Sequence, residues 1–228
     1  MNDLAQNLIE ELQCETVFTI PVLGGIPVSE AVVVTWIIMA VLVIAAFILT
    51  RNLKVDHISK RQAVAESIVT GLMNMVQGMV GEKGKAYVPY LTTVMLYIGV
   101  SNIIGLFGFK SPTKDLRVTV ALALMSIILI EAAGIYHKGV KRWLHGFVEP
   151  VAIVTPINIL EVVTKPLSLC MRLFGNVLGA FVIMELLKMI LPVGLPVVFS
   201  LYFDIFDGLL QAYVFVFLTS LYIDEITE

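Results

Sequence analysis

Residues 157–191 read INILEVVTKPLSLCMRLFGNVLGAFVIMELLKMIL. This stretch is apolar along almost its whole length and carries its few polar groups in helical register. Glu161, Lys165, Ser168, Arg172 and Asn176 follow one another at steps of 4, 3, 4 and 4, which puts all five on one stripe of a single helix. At 1.5 Å per residue the segment is ~50 Å long, well beyond a hydrocarbon core of roughly 30 Å, so a helix of this length crosses a bilayer only at a steep tilt. Polar and ionisable groups in such a setting cost several kcal/mol unless paired or facing water. Their positions are therefore the functional signal.

The rest of the chain has the same character. Of 228 residues 58% are hydrophobic and 14% charged, and the mean hydropathy is +0.93, far from the composition of a water-soluble domain. The formal charge of −3 gives no footprint for nucleic acid. Cys14 and Cys170 form neither a disulfide framework nor a metal-ligand pattern and receive no role, and no cofactor or metal site is expected. Residues 1–27 carry Asp3, Glu10, Glu11 and Glu15 without a basic start and apolar core, so they do not read as a signal peptide but as an external N-terminal segment.

Hydropathy places span 1 at 28–49, an amphipathic surface helix interrupted by Glu66, Asn74 and Gln77 at 63–80, and a water-exposed break at 81–85. Span 2 follows at 87–107, span 3 at 118–136, the long helix at 157–191 and a last helix at 196–223. Basic residues after span 1 (Arg51, Lys54, Lys60, Arg61) and after span 3 (Lys138, Lys141, Arg142) put those ends in the cytoplasm, hence the N-terminus outside and the C-terminus inside. The loop with Lys110, Lys114 and Arg117 runs against that rule, tempered by Asp115. The expected fold is an all-α integral membrane protein forming one membrane domain, with about five transmembrane helices, one surface helix, and the last two helices as a long tilted hairpin.

Arg172 lies deep in its apolar run, keeps its charge at any accessible pH, and has only Ser168 and Asn176 beside it on its own helix. It needs an anion from elsewhere. In the last helix Asp204 and Gln211 stand two turns apart on one face, with Asp207 rotated about 60° and nearer an aqueous mouth. Two readings stay open: an Arg172–Asp204 pair that locks the hairpin, and a line of exchangeable groups ending at a permanent cation, which is what an ion relay requires. Glu161 and Lys165 suit an ion pair at i,i+4, and Glu185, on roughly the opposite face from Asn176, suits one with Lys188 at i,i+3. A secondary transporter is the alternative from another class, but neither an inverted repeat nor paired helix breaks are visible. A purely structural membrane scaffold has no evident use for the arginine.

At these residues the sequence resembles subunit a of F-type ATP synthases. The match rests on Thr164-Lys165-Pro166-Leu167-Ser168-Leu169-Cys170-Met171-Arg172-Leu173-Phe174-Gly175-Asn176, supported by the run Pro156 to Glu161, by Leu210-Gln211-Ala212-Tyr213-Val214-Phe215, by Ser101-Asn102-Ile103-Ile104-Gly105-Leu106 and by Ser111-Pro112-Thr113-Lys114-Asp115-Leu116. The resemblance implies a stator subunit in a bacterial plasma membrane, not itself catalytic for ATP chemistry, that couples proton or sodium flow to rotation. It also implies that Arg172 faces a ring of c subunits, that Asn176, Asp204 and Gln211 belong to a half-channel open to the outside, and that b subunits of a peripheral stalk are partners. Opposite charges 4 Å apart at an effective dielectric near 20 attract by about 4 kcal/mol, enough to make an arriving carboxylic acid roughly a thousandfold more acidic. The sequence departs from many bacterial members, which carry a carboxylate nine residues after the arginine and a histidine seven before the glutamine. Here those positions are Phe181 and Asp204.

Overall fold

Ser29 stands at the junction between an extended segment and the first long apolar run, and its side chain does not cap the helix that follows. Its hydroxyl instead donates to Asp115 Oδ2 at 2.9 Å. Asp115 in turn caps another helix, accepting from the Arg117 backbone N–H at 2.9 Å through Oδ1. One buried carboxylate thus ties two helix starts together at one end of the molecule. The computed structural model describes residues 16–20, 26–51, 59–107, 109, 111–146, 155–190 and 194–227.

In chain order the elements are strands β1 (Thr16–Ile20) and β2 (Ile26–Ser29) and helices α1 (Glu30–Thr50), α2 (Lys60–Gln77), α3 (Val88–Ile103), α4 (Leu116–Lys138), α5 (Val140–Gly146), α6 (Thr155–Ile190), α7 (Leu195–Leu201) and α8 (Gly208–Thr227). Tight 3₁₀ turns precede α3 (Glu82–Tyr87), extend it (Ile104–Phe107) and precede α4 (Pro112–Lys114), while a wide π turn (Tyr202–Asp207) joins α7 to α8. Among the described residues five helical segments are long and apolar enough to cross a membrane: Glu30–Thr50, Gly84–Phe107, Leu116–Lys138, Thr155–Met189 and Val198–Thr227. The chain is an all-α, multi-pass membrane protein.

The core lies where α3, α4, α6 and α8 meet. Leu91 and Ile98, Ile130 and Ala133, Leu169 and Leu173, and Phe215, Val216 and Ile223 are buried there, with Val76 of α2 added at one end. Helix α1 contributes a single stripe, Ala31, Val34 and Ile38, and leaves Trp36, Val43, Ile44 and Phe47 exposed. That is the pattern of a peripheral helix with lipid on most of its circumference. A polar link from it to the bundle is Tyr97 OH donating to Thr35 Oγ1 at 3.1 Å.

Several expectations change. The N-terminal segment contains an antiparallel hairpin, with Ile20 opposite Ile26 and Thr16 opposite Ser29, where no secondary structure was anticipated. The β-branched content of Thr16–Ile20 was the available signal. The surface helix begins at Lys60 because Ser59 caps it, accepting from Gln62 N at 3.3 Å. The break at 81–85 does not simply sit in water: it winds into the Glu82–Tyr87 turn, and its Gly84 is buried against Val80 and Ile223. After α4 the left-handed Gly139 (φ 77°) redirects the basic segment into α5.

In lipid the apolar transfer gain between helices largely vanishes, leaving dispersion and close packing to hold the bundle. Phe215→Ala, which opens a void at a side chain 2% exposed, is therefore expected to lower the unfolding free energy by roughly 1–3 kcal/mol. Titration with SDS in mixed micelles measures it, and Phe217→Ala on the exposed face of the same helix is the control.

Candidate functional site

The buried residues of α6 show how the polar stripe is aimed. Leu169, Cys170 and Leu173 turn into the core, so Ser168, Met171, Arg172 and Gly175 are left exposed on the outer face. Thr119 Oγ1 and Cys170 Sγ meet at 3.5 Å, which holds this inward face against α4. Arg172 makes no hydrogen bond or ion pair with any described residue, and the Arg172–Asp204 pair entertained from spacing is not formed. The Arg172 side chain is exposed, on the outer face of α6 with Ser168 and Gly175.

The stripe runs into a different cavity at each end. The first, about 470 Å³, is lined by α6, the wide turn and the end of α3: Asn176, Phe181 and Glu185 on one side, Asp204, Asp207 and Gln211 on another, with Lys114 of the outer turn at its edge. The Asn176 side-chain amide donates to Asp207 Oδ2 at 2.5 Å across the hairpin. Gln211 Oε1 is buried without a hydrogen-bond partner among the described residues. Lys114 Nζ sits 4.4 Å from the centre of the Phe181 ring, so a cation occupies the wall where many bacterial family members place an acid.

The second cavity, about 680 Å³, is lined by Asn158, Glu161 and Lys165 of α6, Glu131 of α4, Arg142 of α5 and Glu225 of α8. Lys165 Nζ is 3.1 Å from both Glu161 Oε1 and Glu225 Oε2. The pair expected at i,i+4 is therefore part of a triad that closes the far end of the hairpin. Trp143 Nε1 donates to Glu131 Oε2 at 2.9 Å on the same wall. Arg172 lines neither cavity and lies between them along α6, ~6 Å in axial rise from Asn176 and ~10 Å from Lys165.

Two features differ from the sequence reading. Asp207, expected nearer an aqueous mouth, lines the first cavity together with Asp204, and the segment that carries both is a π turn with an extra residue in its winding. Glu185 forms the expected pair with Lys188 at 2.6 Å, but it also lines the same cavity as Asn176, although the two lie on opposite sides of α6 in projection. Glu225 and Lys114 escaped the sequence reading because each sits at a helix end in a charged stretch, and Glu131 because it stands alone in the apolar run of α4. Only the packing of non-neighbouring helices brings them to the cavities.

The family described as "ATP synthase A chain" matches residues 32–224. The chain is 35% identical over 203 residues to the ATP synthase subunit a of Moorella thermoacetica, covering 88% of this chain and 92% of that protein. It is 34% identical over 215 residues to a protein of Propionigenium modestum described as "ATP synthase subunit a, sodium ion specific", covering 87% and 74%. It is also 30% identical over 200 residues to "ATP synthase subunit a 1" of Crocosphaera subtropica, covering 87% and 86%. A five-span membrane chain with this polar stripe, matched over nearly its full length, belongs to the ATP synthase subunit a family, the ion-translocating membrane subunits of that complex.

Proposed function

We propose that the two cavities are half-channels serving opposite sides of the membrane, and that Arg172 faces a rotating ring of c subunits that carries ions from one to the other. The observation that carries this reading is the outward, unpartnered guanidinium between the two cavities. An arginine left uncompensated by the described residues on an apolar face calls for an anion on a partner, and a ring carboxylate supplies one.

In this reading an ion enters the first cavity, exchanges among Asp204, Asp207, Asn176 and Gln211, and neutralises a ring carboxylate that then moves off through lipid. A carboxylate returning from the other side gives up its ion into the second cavity near Glu161, Lys165 and Glu225, drawn ionised toward Arg172. The fixed positive charge of Arg172 repels a cation attempting to pass straight between the cavities, so transport goes through rotation. Basic residues at the end of α4 and in α5 support a cytoplasmic second cavity and C-terminus, with the N-terminal hairpin outside. The complex sits in a bacterial plasma membrane, with b subunits of the peripheral stalk as neighbours. Asp204 supplies the acid that Phe181 does not, and Ser168 extends the polar surface beside Arg172.

Arg172→Ala should lower ATP-driven ion pumping and ATP synthesis about 100-fold or more, because losing ~3–4 kcal/mol of charge stabilisation is worth 10²–10³ in rate. Assembly of the complex should persist. Arg172→Lys should fail as well, since an ammonium is a compact point charge without the planar fork. Pumping at wild-type rate in either variant would remove the assignment.

Asp204→Asn should reduce transport at least about tenfold. Asp207→Asn should be milder, because an amide oxygen at that position still accepts from Asn176. Phe181→Glu should restore part of the Asp204→Asn defect, since both positions line one cavity. Equal, unimpaired transport in the two Asn variants would show that neither acid carries the ion.

With Cys14 and Cys170 replaced by Ser, single cysteines at Phe181 and at Asn158 should react with a membrane-impermeant thiol reagent from opposite faces of sealed vesicles. Labelling of both from the same face is the result that contradicts two half-channels.

A further inference from the structure

The wide turn that carries Asp204 and Asp207 is an unusual piece of helix, and a single side chain from α3 is built against it. Asn102, 6% exposed, donates from Nδ2 to the Gly208 carbonyl oxygen at 2.9 Å. Gly208 is where the turn closes: its backbone N–H is shared between the carbonyls of Ile205 and Phe203. A carbonyl can only accept, so the amide nitrogen of Asn102 must face it, and Oδ1 faces the other way. There it accepts from Thr113 Oγ1 at 2.8 Å. The outer turn that carries Thr113 is itself pinned by Ser111 Oγ donating to the Ser101 carbonyl at 2.7 Å. Asn102 is therefore oriented from both sides by groups it does not share with water.

Steric fit points to the same contact. A Cβ placed on Gly208 would lie 2.8 Å from Asn102 Cβ, closer than real carbons pack, so a side chain at 208 would push the turn off α3. Three residues further along α3, on the same face, a Cβ on Gly105 would lie 3.4 Å from Asp204 Oδ1. The face of α3 from Asn102 to Gly105 thus receives the turn, with the amide on Gly208 and the bare glycine under the Asp204 carboxylate. Asn102, Gly105, Asp204, Asp207 and Gly208 all line the first cavity.

We propose that Asn102 is a positioning residue for the ion path, whose amide on the Gly208 carbonyl holds the wide turn against α3 and so fixes where Asp204 and Asp207 stand in the first cavity. This rests on the reading of that cavity as a half-channel. If the turn relaxes to ordinary α winding, the segment before Gly208 shifts phase by about one residue, or ~100°, relative to Gln211. Both carboxylates then leave the places they hold here, Asp207 on the Asn176 amide and Asp204 over Gly105. The bundle need not unfold for this to happen, because the core residues of α8 lie beyond the turn.

The test is ATP synthesis in sealed vesicles as a function of proton concentration on the outer-cavity side, repeated as a sodium series, with assembled complex quantified in parallel. Asn102→Ala should raise the ion concentration giving half-maximal rate by about tenfold, with a smaller change in maximal rate per assembled complex. Gly208→Ala should accumulate poorly. The double variant Asn102→Gly with Gly208→Ala removes the clashing carbon but also the amide, so it should recover assembly while the shifted ion dependence remains. A purely structural role predicts instead that the variants lose assembled complex with the ion dependence unchanged, and that result overturns the inference. Asp204→Asn run alongside separates the two ideas: wild-type transport there defeats the half-channel reading itself. A defective Asp204→Asn beside wild-type ion dependence in both Asn102→Ala and the double variant defeats only the role of Asn102.

Discussion

An arginine cannot shed its charge to escape an apolar environment, and the rest of this molecule is arranged around that constraint. Arg172 sits on the outward face of α6, whose inward face is locked into the core by Leu169, Cys170 and Leu173. Rotating the helix to hide the guanidinium would expose those residues and break the contact of Cys170 with Thr119. The charge therefore has to be met from outside the described residues. A stationary subunit holding a fixed cation toward a moving partner is a physically consistent outcome of these two facts.

The polar groups on either side of Arg172 are handled in opposite ways. Toward the second cavity, Lys165 is caught between Glu161 and Glu225, so the charges compensate one another and tie the ends of α6 and α8. Toward the first cavity the acids are kept less compensated: Asp207 receives an amide hydrogen from Asn176 and the Gln211 oxygen has no partner among the described residues. In the proposed function this leaves the groups that exchange an ion with replaceable contacts, whereas the helix ends are tied by paired charges. Lys114 over Phe181 adds a cation at the rim of the first cavity, which brings positive charge to the same wall as the carboxylates.

The buried network from Ser111 and Thr113 through Asn102 to Gly208 gives the outer turn a purpose beyond connection. It converts the position of a loop into the winding of a helix one element away. Partly satisfied polar networks are costly in a low-dielectric interior, so one in which the amide has both its ends engaged is a rigid spacer between α3 and α8. That rigidity is useful next to acids whose mutual direction matters.

Length, hydropathy and helical period were enough to read the all-α membrane class, the long helix and the stripe containing Arg172, because each depends on residues close in the chain: 1.5 Å of rise and 100° of turn per residue act locally. Glu161 with Lys165 and Glu185 with Lys188 were legible for the same reason. The N-terminal strands were missed where short extended pairing competes with weak local signals. What the chain order could not express was the meeting of α3 with α8, the capture of Lys165 by Glu225 sixty residues away, and the extra residue wound into the Tyr202–Asp207 turn. A helical wheel assumes constant winding; the π turn departs from it where Asn102 of α3 bonds Gly208, so the places of the two carboxylates are decided only once α3 and α8 are packed.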